Sequence, residues 1–209
     1  MAPLPAFVHI IESPSANDLL DGRTEGRVLN EILNLANIPH CYNLATTKET
    51  FNTALVTRLN EESKKFKKFP ILHLSMHGNQ NGISLTDNTF LQWTDLQAML
   101  RPLNNFLKGE LLICMSSCFS SSGCWMAMNE DKDETFWALV GNSSSVSWDD
   151  AAVAYVTFYH LLFKNPSVEK SQLEEYVGYM KLASKDNNFE VWGGRAIKTA
   201  WAKNIKELS

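Results

Sequence analysis

The sequence predicts an α/β fold: a three-layer sandwich with a mainly parallel sheet and helices on both faces. Three observations point to it. Short apolar, β-branched runs alternate along the chain with longer segments whose apolar residues recur every three or four positions, as strands interleaved with helices do. Leu111–Met115 is apolar throughout, as a strand covered on both faces must be. Two strand-like runs close in polar groups, His77-Gly78 and Ser116-Ser117-Cys118, and open parallel sheets carry their sites at such carboxyl ends.

In chain order, Ala6–Ile11 reads as a first buried strand, followed by a polar loop from Glu12 to Arg23 with Ser13-Pro14-Ser15 and Asp21-Gly22 as turn formers. Val28, Leu29, Ile32, Leu33 and Ala36 fall at helical spacing, and that helix must stop before Pro39. Cys41–Leu44 is a short second strand. Thr46 with Glu49 forms a capping box for a helix that buries Phe51, Ala54, Leu55 and Leu59. Pro70–Met76 is a third strand. Ile83–Leu85 and Thr89–Leu91 make a hairpin around Asp87-Asn88. Thr94 with Gln97 caps a helix through Leu100 that ends near Pro102.

Leu111–Met115 is the fourth main strand, and an irregular Ser- and Gly-rich stretch, Phe119–Glu134, follows it. Phe136–Val140 is the fifth. A long helix from Asp149 carries Ala152, Val153, Val156, Phe158, Tyr159, Leu162 and Phe163, and Asn165-Pro166 halts it. Asp149 is placed to cap it. Ser167 opens another helix with Leu173, Tyr176, Val177 and Met180 inward. Phe189–Trp192 reads as a last strand before a helix from about Arg195. No repeat or linker interrupts the chain, so one domain over residues 1–209 is expected.

Composition narrows the function. Hydrophobic residues make up 44 % of the 209 and charged residues 20 %, enough for a sizeable core. The formal charge of −4, from 19 basic and 23 acidic residues, argues against nucleic acid or anionic lipid as a partner. The one basic cluster, Lys64–Lys68 after Glu61-Glu62, reads as a solvated helix end. No run approaches the ~20 apolar residues of a membrane span, and the N-terminal residues Met1–Pro5 lack the basic region of a signal peptide. Four cysteines make no disulfide scaffold. With Cys114, Cys118 and Cys124 crowded together, they fit a reducing, cytoplasmic setting.

Chemistry concentrates at the two polar strand ends. A thiol attacks an acyl carbon only as thiolate, so it needs a base within reach and donors for the oxyanion. A histidine ending one parallel strand and a cysteine ending its neighbour supply nucleophile and base from rigid elements. Gly78 admits close approach of backbone, so its N–H and that of Cys118 are candidate oxyanion donors.

These segments resemble a known group. Ile71–Gly78, then Leu111–Ser120, then Ala138–Gly141 with Ser147–Ala151 and Phe158–Leu162 are similar, in order and spacing, to the caspase-like cysteine peptidases. The likeness covers roughly residues 6–164 and is strongest to the bacterial branch that includes the CHAT peptidases. It implies a caspase-like sheet, a Cys118–His77 dyad without metal or organic cofactor, and a protein substrate. It also implies a regulated effector of antiviral defence or cell death, switched on by an activating partner or small signal molecule. Caspases follow Gln-Ala-Cys with glycine two places after the cysteine; here Phe119-Ser120 follows, closer to the bacterial Cys-x-Ser form. Asn129–Glu134 lies where caspases are processed, but it is short.

Each residue also has a plainer reading. Cys114, centred in an apolar strand, reads as packing, Cys41 as structural, and Cys124 beside Trp125 as loop or core. His73 faces a strand interior. A zinc site from His73, His77, Cys114 and Cys118 is disfavoured, since residues four apart on a strand lie ~13 Å apart. No third member of a triad is identifiable. For the substrate, Arg23 suits an acidic side chain, whereas Asp149 and Asp150 after Trp148 suit a basic one, with the balance toward a basic or non-acidic residue. Trp148 either walls that pocket or packs. The rival to a peptidase is a catalytically silent caspase-like scaffold that binds a partner or nucleotide signal.

Overall fold

Strand β1 (Ala6–Ser13) is buried along its whole length, because it lies inside the sheet with a parallel neighbour on each side. The computed structural model describes residues 4–130 and 133–208. Within it, β2 (His40–Leu44), β1, β3 (Phe69–Asn79), β6 (Leu112–Met115), β7 (Ala138–Asn142) and β8 (Phe189–Gly193) stand side by side in that order. All pairings along this row are parallel except β7 with β8. The hairpin of β4 (Gly82–Ser84) and β5 (Phe90–Gln92) grows antiparallel from the far end of β3.

Side-chain alternation divides the central strands between two helical layers. Leu72, Leu74 and Met76 of β3 and Ile113 and Met115 of β6 face one layer. It is built from α3 (Lys48–Asn52), a π-helical stretch (Thr53–Arg58), α4 (Leu59–Phe66) and α5 (Trp93–Phe106). Ile71, Leu112, Cys114 and Val140 face the other, formed by α2 (Glu25–Leu35), α6 (Trp148–Leu162) and α7 (Lys170–Ser184). The sandwich predicted from the sequence is present. Among the described residues no helix is long and apolar enough to cross a membrane.

Boundaries differ from the sequence expectation for physical reasons. The first loop is not irregular: Ser15 caps a short helix, α1 (Ala16–Leu20), by accepting from the Asp18 N–H. Each expected cap is displaced by one or two residues. Thr47 pairs with Thr50 at the start of α3, and Gln92 with Asp95 at the start of α5. Ser147 rather than Asp149 caps α6. Helix α5 continues through Pro102, because apolar burial on either side of the proline outweighs one lost backbone bond. Phe119 adopts the left-handed conformation and starts a 3₁₀ helix, Ser120–Ala127, where an irregular stretch was expected. The expected processing loop includes Asp131 and Lys132, which lie outside the described residues, as do Met1–Pro3.

Two buried carboxylates tie α2 to the sheet. Glu12 of β1 accepts from the Gly26 N–H at 2.7 Å and from the Tyr42 hydroxyl at 2.7 Å, with Ser75 at 3.4 Å. An anion at a helix N-terminus meets unpaired N–H groups and the positive end of the dipole. Burial still pushes the Glu12 carboxyl above its ordinary value, against the lowering by Tyr42 and Gly26. Glu25 accepts from the Ser116 hydroxyl at 2.8 Å and contacts His73 Nε2 at 3.3 Å, while His73 Nδ1 meets the Tyr159 hydroxyl at 2.8 Å. Glu12→Ala strands the Gly26 N–H and the Tyr42 hydroxyl, and is expected to lower stability by about 2–4 kcal/mol in urea denaturation.

Candidate active site

The site lies at the carboxyl ends of β3 and β6, adjacent parallel strands in register from Ile71↔Leu112 to Leu74↔Met115. Strand β3 outruns its neighbour, and its tip, His77-Gly78-Asn79, pairs instead with β4. His77 and Gly78 therefore sit within a braced strand rather than after one. Beyond β6 the chain turns through Ser116-Ser117-Cys118, and Phe119 at φ +55° sends it into the 3₁₀ helix. A non-glycine residue in this conformation stores strain of the kind found at functional turns. The two tips abut: a Cβ on Gly78 would lie 3.1 Å from the Cys118 carbonyl oxygen and 3.2 Å from Ser117 Cβ.

His77 and Cys118 open onto one cleft of about 570 Å³. Its other walls come from the start of α2 and the start of α6. The imidazole is fixed from two sides. Its Nε2 lies 2.6 Å from Asp18 Oδ2, and Trp148 packs edge-on against the ring with centroids 5.2 Å apart. A carboxylate only accepts, so this contact places a proton on Nε2. Burial alone would raise the Asp18 carboxyl, but the Ser15 hydroxyl, His77 and Arg23 together hold it below its ordinary value. The Cys118 thiol is half-buried and donates weakly to the Val146 carbonyl at 3.7 Å. Among the described residues, no backbone carbonyl accepts from the Cys118 N–H.

The other expected residues are placed as follows. Arg23 lines the cleft, yet its guanidinium is already engaged by Asp18 at 3.3 Å and Asp21 at 3.1 Å. Trp148 lines the cleft and packs on His77. Asp149 is exposed at the rim, its carboxyl lowered by the Ser147 hydroxyl and nearby backbone N–H groups. Asp150 is not in the cleft wall; it accepts from Ser147 at 2.8 Å, part of the α6 cap. His73 and His77 do not converge, and among the described residues no three metal-ligating groups cluster. A second depression of about 490 Å³, walled by Leu29, Ile32, Tyr179 and Leu182, contains no cysteine.

No family model and no curated protein matches this chain. Solved structures do. Gingipain R, described as an Arg-specific cysteine proteinase, superposes with a TM-score of 0.57 over 91 % of this chain and 46 % of its own, at 14 % identity. A complex of Porphyromonas gingivalis RgpB pro- and mature domains gives 0.52 over 90 % and 46 %, at 12 % identity. The chain shares the caspase-like fold of gingipain R. It spans about half the length of the gingipain chains it matches.

On this gingipain-like fold the sequence reading missed Asp18 and Glu25. A weak signal exists for each: Ser15-x-x-Asp18 has the spacing of a helix start, and Glu25 shares the stripe of Leu29 and Leu33, the buried residues of α2. The remaining cysteines are inert. Cys41 donates its thiol proton to His9 Nδ1 at 2.9 Å, while His9 Nε2 is held by the Ala54 carbonyl. Burial pushes the Cys41 thiol up to about 12 and His9 down to about 4, so this second Cys–His pair stays neutral. Burial likewise raises Cys114 to about 12 and raises Cys124.

Iodoacetamide at neutral pH is expected to alkylate Cys118 and spare Cys41, Cys114 and Cys124 until the protein unfolds, read by peptide mass mapping. Because the folded Asp18 carboxyl is lowered, its stabilisation is complete above the ordinary aspartate range and is lost as pH falls through the folded value. Asp18→Asn is expected to flatten that acid limb of the stability curve.

Proposed function

We propose that the chain is a cysteine endopeptidase that cleaves a protein by acyl transfer. The supporting observation is the shared cleft: the Cys118 turn and an Asp18-anchored His77 open onto the same space, on a fold that cysteine proteinases use. Cys118 gives its proton to His77 Nδ1 and attacks the peptide carbonyl. His77 returns that proton to the leaving amine, and water then releases the acyl group with the same base. The N–H groups of Gly78 and Cys118 hold the oxyanion. Asp18 is a positioning residue that fixes the imidazole tautomer.

The bacterial CHAT-like branch is the best fit to Cys118-Phe119-Ser120. By that analogy the enzyme is a cytoplasmic effector in antiviral defence or cell death, held inactive until an activating partner or small signal molecule engages it. The Arg23 and Asp21 contacts to the Asp18 region place charged groups beside the base, where a partner can influence it.

A thiol-reactive peptide probe tests the chemistry. Wild type is expected to label at Cys118 and Cys118→Ala not at all; equal labelling of both would leave a silent scaffold. Asp18→Asn is expected to slow labelling by roughly 10–100-fold. Co-expression of wild type and His77→Ala with neighbouring gene products, followed by mass spectrometry, is expected to show fragments of a protein substrate only with wild type.

A further inference from the structure

Two helices give the cleft beside Cys118 and His77 an apolar wall. Val28 lies one turn into α2, and Trp148 and Ala152 lie one turn apart at the start of α6. All three line the cleft, and Val146, in the loop before α6, lines it with them. Helices α2 and α6 pack together on the same face of the sheet, so these side chains reach one space from different segments. Val28 is 48 % exposed, and Val146, Trp148 and Ala152 are each partly exposed. A single exposed apolar residue is ordinary on a protein surface, but four around one cleft form a surface that apolar ligand atoms would remove from water.

The charged groups of the lining are already engaged with other parts of the chain. The Arg23 guanidinium is held by Asp18 and Asp21, and His77 meets Asp18. The Glu25 side chain is fully buried, with Oε2 bound by Ser116 and His73. Asp149 is exposed at the rim, and its carboxyl is held by the Ser147 hydroxyl and by backbone N–H groups at the start of α6. A charged side chain entering here would give up its water and then have to draw one of these groups from its present partner, and desolvation without a new pairing is costly. An apolar side chain has no such cost and covers the wall.

We infer that the cleft receives an uncharged apolar side chain of leucine type from the residue whose carbonyl Cys118 attacks, and that Val28 and Ala152 are its specificity-determining walls. This inference deepens the peptidase reading and rests on it. Val28 offers a branched side chain from α2. Ala152, with a single methyl group on α6, leaves space that a longer residue at that position would fill. Trp148 serves substrate and base together, because the indole that lines the cleft also packs on His77. A side chain seated against that indole is registered against the imidazole as well.

Peptidyl acyloxymethyl ketones ending in Leu, Ala, Arg or Asp test it by their rates of Cys118 modification, measured by intact mass. The leucyl probe is expected to react about 10–100-fold faster than each of the others. Val28→Asp, a change at a half-exposed helix position, is expected to lower the ratio of leucyl to arginyl rates about tenfold or more. Ala152→Leu is expected to lower the ratio of leucyl to alanyl rates by a similar factor. An arginyl or aspartyl rate in wild type equal to or above the leucyl rate overturns the inference, whether or not either variant folds. Calorimetric binding of leucyl, arginyl and aspartyl peptide amides to Cys118→Ala separates this inference from the peptidase reading. Preferred binding of the leucyl amide with no labelling of wild type removes the peptidase and keeps the apolar site. Labelling of wild type at equal rates by all four probes removes the site and keeps the peptidase.

Discussion

The structure depends on how the first turn of α2 is fastened to the carboxyl ends of three strands. Glu12 reaches from β1 to the Gly26 N–H, and Glu25 reaches from α2 to Ser116 just past β6. Between them stand His73 and Ser75 of β3. Gly26 suits this contact, since a Cβ there would lie 3.0 Å from the Glu12 carboxyl carbon and press on it. Two carboxyl groups are buried at once, and each is tolerable only because partners from different elements converge on it. Helix position, strand ends and cleft wall are therefore set by one connected group of polar side chains.

From that fastening the shape of the cleft follows. Strand β3 continues beyond the sheet because β4 takes over its hydrogen bonding, which carries the imidazole to the level of the Cys118 turn. The turn itself is held by Phe119 N–H on the Ser144 carbonyl, by Ser120 Oγ on Met115, and by the close approach of Gly141 to Ser120. His77 and the Cys118 turn thus sit at the tips of two neighbouring parallel strands.

The architecture was legible because it depends on periodicity, which short-range sequence records well. Leu111–Met115, the alternation of β3 and the inward residues of α7 all followed from it. The same strand ends named His77, Gly78 and Cys118, and the resemblance of those segments agrees with the caspase-like fold shared with gingipain R. What escaped were contacts made across the chain. Asp18 meets a histidine far along the sequence, and no local pattern announces that pairing. Glu25 lies in a first turn, where acids are favoured anyway, so its contacts with Ser116 and His73 leave only a weak sequence mark. Arg23 lines the cleft, and its contacts with Asp18 and Asp21 could not be read from exposure alone. Asp150 lies in the helix cap with Ser147, a local contact that its place after Trp148 did not announce.

One short stretch, from Asp18 to Glu25, holds the carboxylate that meets His77, an ion-paired guanidinium and a buried carboxyl group bound to Ser116. Three duties compressed into so few positions make that stretch pleiotropic. An insertion there would displace the wall of the cleft and the carboxylate that meets His77 together. The opposite wall is linked in the same way, because the Val146 carbonyl accepts from the Cys118 thiol and Trp148 at the opening of α6 packs on His77.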